Sequence, residues 1–237
     1  MNFLAHEYFH HYNVKRIRPV ELGPFDYENG SRTSMLWFSE GFTVYYEYLI
    51  LKRAGITAED EMLESFRQSI QSFLNKEGRK YQSPADASLL TWDEGPFGRT
   101  QDKINKTISV YDKGPLLGII LDFKIRHETG NKKSLDDLMR LLYNKYYKKM
   151  GRGFTASEFR TEAENMAGVS LDDFFDQVNI VKEINYNTYL EYAGIRMEVS
   201  DVSAPDENGK QKRNFVLSKM EHMDALQQSI YKSWMGN

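Results

Sequence analysis

The chain has 237 residues, of which 41% are hydrophobic and 27% are charged, a composition typical of a folded globular protein rather than a disordered one. Its 31 basic and 34 acidic side chains give a net charge of −3, so no excess of positive charge indicates a nucleic acid or an anionic membrane as a partner. Cysteine is absent, which excludes disulfide bonds and thiolate metal sites and leaves imidazole and carboxylate groups as the strong zinc ligands.

Apolar residues recur with helical spacing along most of the chain, which predicts a mainly α-helical protein. The segment 37–51 is apolar on most faces and predicts a buried helix. A second helix is predicted to begin at Thr57, with Asp60 completing a capping box, and to end near Gly78. The stretch 78–109 is rich in glycine, proline, serine and aspartate, so we expect a long irregular segment that borders a functional site.

The second half of the chain contains clear helix boundaries. Gly114-Pro115 is predicted to open an apolar helix that continues to about Arg126, because proline is favoured in a first helical turn. Three more helices are predicted from N-cap residues and glycine stops, namely Ser134, Thr155 and Ser170 as starts and Gly151 and Gly168 as stops. These signals extend the helical prediction to about residue 189.

The C-terminal part of the chain has a different pattern. The run AGIRMEVSDV, residues 193–202, predicts a strand, and PDENGKQKRN, residues 205–214, predicts a polar turn. A final amphipathic helix is predicted from an apolar stripe that consists of Met220, Met223, Leu226, Ile230 and Trp234. We therefore divide the chain into a helical unit, 1–197, and a C-terminal tail of strand, turn and helix, 198–237.

The segment HEYFHHYNVKRIRP, residues 6–19, contains a metal-binding pattern. On a helix His6 and His10 lie on nearly the same face, about 6 Å apart along the axis, so both imidazoles can reach one metal ion. Glu7 lies beside the metal rather than on it, where its carboxylate can take a proton from water. This arrangement is H-E-x-x-H.

A zinc site of this type needs a third protein ligand. The extended motif that uses a third histidine requires glycine and histidine at the positions that Asn13 and Arg16 occupy, so that version fails. The other solution takes a glutamate from a second helix, and LWFSEGFTVYYEYL, residues 36–49, supplies Glu40. Turn residues between the two segments allow the chain to reverse and the two helices to pack side by side.

Further motifs accompany these residues in a fixed order. They are Asn13-Val14-Lys15-Arg16-Ile17-Arg18-Pro19, Leu22-Gly23-Pro24-Phe25-Asp26-Tyr27, Leu36-Trp37-x-x-Glu40-Gly41, Arg53-Ala54-Gly55, Tyr111-x-Lys113-Gly114, Leu121-Asp122, Ser134-Leu135-Asp136-Asp137, Phe174-Phe175 and Tyr189-Leu190. Together they resemble the glycyl aminopeptidase family of gluzincin zinc metallopeptidases over about residues 3–197.

The resemblance implies a fold, a cofactor and a reaction. The fold is the helical half of a thermolysin-like catalytic domain, here followed by a short C-terminal strand and helix. His6, His10 and Glu40 match the Zn²⁺ ligands and Glu7 matches the general base. Tyr111 matches a tyrosine whose hydroxyl donates to the developing oxyanion. The expected substrate is a peptide, from which an aminopeptidase would release a small N-terminal residue such as glycine or alanine.

The resemblance also shows what the sequence lacks. Family members carry a larger N-terminal region, and many carry a PDZ domain, whereas only five residues precede His6 and residues 198–237 lack that domain's glycine-rich loop. The apolar face left uncovered is expected to support self-association or contact with an N-terminal domain. The alternative function is therefore a truncated, catalytically incompetent zinc-binding fragment or structural module.

Several side chains have two interpretations at this level. Tyr111 is either the oxyanion donor or a buried aromatic. The cations Lys15, Arg16 and Arg18 either bind a substrate carboxylate or satisfy the end of the first helix. The tyrosines at 45, 46 and 48 either line a specificity pocket or pack in the core, and the histidines at 11, 127 and 222 are not expected to be ligands.

No apolar stretch reaches the roughly 18 residues of a membrane span, and only analogy favours an exported or periplasmic location.

Overall fold

The structure is a computed structural model that describes residues 1–92, 105–204 and 211–236. It is mainly α-helical, which confirms the predicted fold class. The α-helices are α1 (Asn2–Phe9), α2 (Leu36–Ser39), α3 (Gly41–Arg53), α4 (Glu59–Leu74), α5 (Pro84–Leu89), α6 (Val110–Glu128), α7 (Leu135–Leu142), α8 (Ala156–Ala167), α9 (Asp172–Asn179), α10 (Tyr186–Leu190) and α11 (Ala225–Met235). Short 3-10 helices lie at Val20–Leu22, Glu77–Lys80 and Glu191–Ala193, and a π-helix extends α7 over Tyr143–Met150.

Helices α3 and α6 form the centre of the molecule and pack directly against each other. Their closest approach is at Gly41 and Gly114, where a Cβ atom built on Gly114 would lie 2.3 Å from the Gly41 Cα. One turn further along α6, a Cβ atom on Gly118 would lie 2.8 Å from the Tyr45 side chain. Only glycine allows the two backbones to come this close, and the crossing brings the start of α6 next to Glu40.

Helix α6 begins earlier than the sequence predicted. Its N-cap is Ser109, whose side chain accepts from the Tyr111 N–H, while Asp112 accepts from the Ser109 N–H at 2.8 Å. The predicted start at Gly114-Pro115 is therefore wrong, because this capping box nucleates the helix one turn upstream. Pro115 lies inside the helix instead, where it removes one backbone hydrogen bond.

Helix α4 is also displaced from its prediction. The residue at its N-cap is Ala58, whose N–H donates to Glu61 Oε2 at 2.6 Å, and the Thr57 hydroxyl is buried without a partner. The segment 78–109, expected to be irregular, contains α5, which Ser83 caps by accepting from the Asp86 N–H. Residues 93–104 of that segment lie outside the described residues.

The predicted starts at Ser134 and Thr155 and the stops at Gly151 and Gly168 are found in the structure. The N-cap of α9 is Leu171, one residue after the predicted start at Ser170. The Thr155 side chain accepts from the Glu158 N–H, and Glu158 accepts in return from the Thr155 N–H at 2.9 Å. The Ser134 N–H donates to Asp137 Oδ2 at 2.9 Å, and Ser170 Oγ accepts from the Asp172 N–H at 3.2 Å. The stops at Gly151 and Gly168 have φ angles of 66° and 74°, a conformation that favours glycine.

The C-terminal region forms a β-hairpin where the sequence predicted a single strand. Strand β1 (Ile195–Val202) pairs antiparallel with β2 (Arg213–Lys219), so β1 runs across the expected boundary at 197/198 and β2 takes the end of the expected turn. The amide of Asn75 pairs with both backbone groups of Arg213 and docks the hairpin on α4. Met220 and Met223 precede α11, which contributes Ile230 and Trp234 to the core.

Among residues 1–92, 105–204 and 211–236, no helix combines the length and apolar character that crossing a membrane requires.

Lys113 in α6 is a buried cation without a carboxylate partner among the interactions of the described residues. Its Nζ donates to the Gln177 carbonyl at 2.8 Å and lies 5.7 Å from the centre of the Phe73 ring. Burial lowers the pKa of Lys113 from 10.5 to about 8. Because the unfolded chain binds more protons than the folded chain between these two values, this residue makes folding more favourable as the pH rises.

We expect the unfolding free energy of the parent, measured relative to that of Lys113→Met, to rise between pH 8 and 10.5. The rise should be on the order of 3 kcal/mol, since one pKa unit corresponds to about 1.4 kcal/mol. Urea denaturation of both proteins across this pH range measures the effect, and the subtraction removes the titration of other groups. A pH-independent difference between the two proteins would contradict the assignment.

Candidate metal centre

The two imidazoles of the H-E-x-x-H segment come together at the C-terminal end of α1. His6 lies within the helix and is 8% exposed, and His10 is the residue that ends it. The two Nε2 atoms are 3.1 Å apart and the rings meet edge to face. Both Nε2 atoms therefore point toward one location, as the four-residue spacing predicts.

Glu40 reaches the same location from the break between α2 and α3. Its Oε2 atom lies 3.4 Å from each of the two Nε2 atoms. In a tetrahedral zinc site with bonds of about 2.0–2.1 Å, neighbouring ligand atoms are about 3.3 Å apart. The distances between the ligand atoms of His6, His10 and Glu40 are therefore those expected for three ligands of one zinc ion. Among the described residues, these three form the group that could hold a metal ion.

The Nδ1 atom of each imidazole contacts a protein oxygen, which fixes the orientation of the ring. His6 Nδ1 lies 2.9 Å from Glu47 Oε2, and His10 Nδ1 lies 2.7 Å from the Asn13 carbonyl oxygen. Because these oxygens can accept a hydrogen bond from Nδ1–H, they favour the tautomer in which Nε2 is free to act as a ligand. Neither partner was predicted from the sequence. The available signal was the spacing of Glu47, which follows Glu40 by two helical turns and is a carboxylate in an otherwise buried helix.

The electrostatics of this group favour a positive charge at its centre. Hydrogen bonds to Glu40 and then to Glu47 raise the pKa of His6 to about 9, although burial opposes the shift. Burial alone would raise the pKa of Glu40, but hydrogen bonds from the two imidazoles and Tyr111 lower it to about 2. The negative charge of the carboxylates thus stabilises a proton on the imidazoles. The same negative charge would stabilise a bound divalent cation.

Tyr111, at the start of α6, also reaches this centre. Its hydroxyl donates to Glu40 Oε2 at 2.8 Å, and its ring centre lies 6.1 Å from that of His6. The residue is 51% exposed, so it is not a buried aromatic. Burial of the hydroxyl end, followed by the charges of Glu40 and Glu7, raises the pKa of Tyr111, so the hydroxyl keeps its proton.

Glu7 is exposed on α1, next to His6 in sequence, and its charge acts on Tyr111. It is not one of the three residues whose ligand atoms converge. Its role as a general base stays a prediction.

The other candidate residues have structural roles. Arg16 donates to the His11 carbonyl at the end of the first helical segment, and Arg18 lies over the Phe25 ring at 5.8 Å. These contacts favour helix-end and packing roles over capture of a substrate carboxylate. The tyrosine hydroxyls at 45, 46 and 48 bind Asp122, Asp136 and Ser69 respectively, which favours core packing over a specificity pocket.

Replacing Glu47 with glutamine is expected to weaken zinc binding by about 10- to 100-fold, the usual effect of losing a partner of a histidine ligand. The amide keeps the size of the carboxylate but loses the charge that favours Nδ1–H on His6. Isothermal titration with Zn²⁺ measures the change, with Glu77→Gln as a matched control on the 3-10 helix Glu77–Lys80. Equal affinities in Glu47→Gln and the parent would show that the His6 contact is dispensable.

Comparison with known proteins gives a match to a family model and matches to solved structures. The sequence model of the M61 glycyl aminopeptidase family matches residues 1–117. A crystal structure of an aminopeptidase N family protein from Idiomarina loihiensis has a TM-score of 0.78 and 25% sequence identity, and covers 89% of this chain and 35% of that chain. The present chain thus spans about a third of that relative. No curated protein matches the chain.

Proposed function

The chain belongs, through residues 1–117, to the M61 glycyl aminopeptidase family, and from this premise we propose that it is a zinc-dependent peptidase. The proposed reaction is release of a small N-terminal residue, glycine or alanine, from a peptide. The observation that carries the proposal is the triangle of ligand atoms from His6, His10 and Glu40, with sides of 3.1, 3.4 and 3.4 Å.

The residues present fit a zinc ion, because two imidazole nitrogens and one carboxylate oxygen are a ligand set of catalytic zinc sites. Zinc, when bound, supplies a Lewis acid that polarises the scissile carbonyl and lowers the pKa of water. The role of the protein is to hold the imidazoles of His6 and His10 in their neutral form, so that each can act as a metal ligand. Glu47 and the Asn13 carbonyl do so by accepting from the Nδ1 atoms.

Two further residues act on the substrate in this proposal. The Glu7 carboxylate accepts the proton of the attacking water and passes it to the leaving amine, so the proton is conserved and no covalent bond to the protein forms. The Tyr111 hydroxyl, which retains its proton, turns from Glu40 to donate a hydrogen bond to the oxygen of the tetrahedral intermediate.

Tyr111→Phe is expected to lower kcat by about 10²- to 10³-fold, the usual effect of removing one donor to an oxyanion. KM should change little, because the hydroxyl acts on charge that develops after the substrate binds. Steady-state kinetics on an alanyl chromogenic amide measure both constants. Tyr27→Phe, at an exposed tyrosine in the connection before α2, is the matched control. A variant with parental kcat would remove Tyr111 from the mechanism.

A second candidate function is a zinc-binding or structural module without turnover. It is favoured by the exposed apolar residues of the first helical segment, where Met1 and Phe3 are 76% and 77% exposed. These residues would support self-association or contact with an N-terminal domain. Such a contact would close the open side of the centre, which a peptidase needs in order to exclude water.

Hydrolysis of glycine- and alanine-capped chromogenic amides separates the two candidates. Turnover that a chelator abolishes and zinc restores supports the peptidase. One zinc ion per chain without turnover supports the binding module. If the chain neither binds metal nor hydrolyses these amides, the peptidase and the zinc-binding module are both wrong.

A further inference from the structure

The side chain of Asn13 is fully buried between the two segments that carry the ligands. Its Nδ2 atom donates to the carbonyl oxygens of Phe38 and Ser39 at 3.2 and 3.1 Å, and it lies 3.2 Å from Thr43 Oγ1. Because both carbonyls can only accept, the orientation of the amide is defined by its partners. Asn13 therefore ties the end of the first helical segment to the residues directly before Glu40.

These two carbonyls lie where the helix that carries Glu40 is interrupted. Glu40 N–H donates to the Leu36 carbonyl at 2.8 Å, and Val44 N–H donates to the Glu40 carbonyl at 2.9 Å, so helical bonding resumes on both sides. Between these two backbone bonds, side chains donate to the Phe38 and Ser39 carbonyls. Asn13 donates to both, and the Thr43 hydroxyl also donates to the Ser39 carbonyl at 2.7 Å. A side chain that enters the backbone ladder in this way bends or breaks a helix.

The main chain of Asn13 acts on a second ligand. Its carbonyl oxygen lies 2.7 Å from His10 Nδ1, and its own N–H donates to the Phe9 carbonyl at 3.0 Å, which fixes it to the end of α1. One residue thus orients the His10 ring through its backbone and the Glu40 segment through its side chain. The relative position of these two ligands depends on the geometry of Asn13.

We propose that Asn13 is a positioning residue of the metal centre, which breaks the helix at Glu40 and sets the distance between the Glu40 carboxylate and the imidazoles. This inference rests on the proposed metal site and adds a residue that never touches the metal. Thr43 assists, because its hydroxyl accepts from Asn13 Nδ2 and satisfies the Ser39 carbonyl. Without the amide donors, the two carbonyls recover helical N–H donors, and Glu40 rotates away from the imidazoles.

The test separates a positioning role from a general contribution to stability. The variants are Asn13→Ala, which removes the donors, and Thr43→Val, which removes the hydroxyl but keeps the side-chain shape. The matched control is Asn187→Ala, because the Asn187 amide also bonds main-chain groups far from the metal centre: it donates to the Met197 carbonyl and accepts from the Met197 N–H in the hairpin. All proteins are compared at a temperature where circular dichroism shows each of them folded.

The measurements are the affinity for Co²⁺ by titration and the visible absorption spectrum of the bound ion, which reports its coordination geometry. We expect Asn13→Ala to bind Co²⁺ about 10- to 100-fold more weakly than the parent, with a changed spectrum. Thr43→Val should change in the same direction by a smaller factor, and Asn187→Ala should match the parent in both measurements.

Parental affinity and spectrum in Asn13→Ala would overturn the inference, and so would equal weakening in Asn13→Ala and Asn187→Ala. Both results leave the proposed function standing, because the parent still binds the ion. Failure of the parent to bind Co²⁺ is a different outcome, since it overturns the metal centre and the positioning role together.

Discussion

Replacing Glu7 with glutamine is expected to lower kcat/KM for peptide hydrolysis by about 10²- to 10⁴-fold, the usual contribution of a general base. Glutamine has the size of glutamate but cannot accept the proton of the attacking water. Metal binding should not change, because Glu7 is not one of the three residues whose ligand atoms converge. Turnover of an alanyl amide and zinc content per chain, measured on the same preparations, give the two quantities.

Glu198→Gln is the control for this substitution, since Glu198 is an exposed glutamate in β1. It should keep the parental rate. Hydrolysis by Glu7→Gln at a rate within a factor of a few of the parent's would show that another group takes the proton. Loss of zinc from the variant would show instead that Glu7 contributes to binding.

Replacing Asp122 with alanine is expected to destabilise the fold by about 3–5 kcal/mol, the usual cost of breaking a buried ion pair. Asp122 is 1% exposed and accepts from the Tyr45 hydroxyl at 2.6 Å, the Arg126 Nε at 3.0 Å and the Leu135 N–H at 2.7 Å. Its removal leaves the buried Arg126 cation without this carboxylate. It also removes the contact that ties α6 to the start of α7.

Urea denaturation monitored by circular dichroism measures the loss, and Asp173→Ala is the matched control. The Asp173 side chain is 87% exposed and lies 3.4 Å from Lys182, so its removal should cost less than about 1 kcal/mol. A cost below about 1 kcal/mol for Asp122→Ala as well would mean that Arg126 finds other partners. Its hydrogen bonds to Asn131 and Ser233 would then be the contacts that stabilise the buried guanidinium.

The features that the sequence predicted well are local. The spacing of His6 and His10 follows from helix geometry alone, and the capping pairs at Ser134 and Thr155 involve residues three apart. Glu40 was predicted because a site of this type needs a third ligand from a second helix, and the family pattern then matched the same residue. The structure then places its Oε2 atom 3.4 Å from both imidazoles, a result that no local rule provides.

The features that the sequence did not predict depend on distant parts of the chain. Strand β2 begins with Arg213 and Asn214, which have low apparent strand propensity, and it is stabilised by pairing with β1 and by Asn75. Glu47 acquires its role only when α3 lies beside α1. The start of α6 was misplaced for a different reason, because Pro115 is a common first-turn residue and outweighed the capping box at Ser109.

The most direct test of the metal centre is X-ray absorption at the zinc edge together with zinc content per chain, in the parent and in Glu40→Ala. We expect one zinc ion per parental chain, with two imidazoles and a carboxylate oxygen among ligands at about 2.0–2.2 Å. Glu40→Ala should retain the imidazole signal but bind zinc much more weakly. A parental spectrum without imidazole scattering, or undiminished zinc binding in Glu40→Ala, would contradict the proposed metal centre.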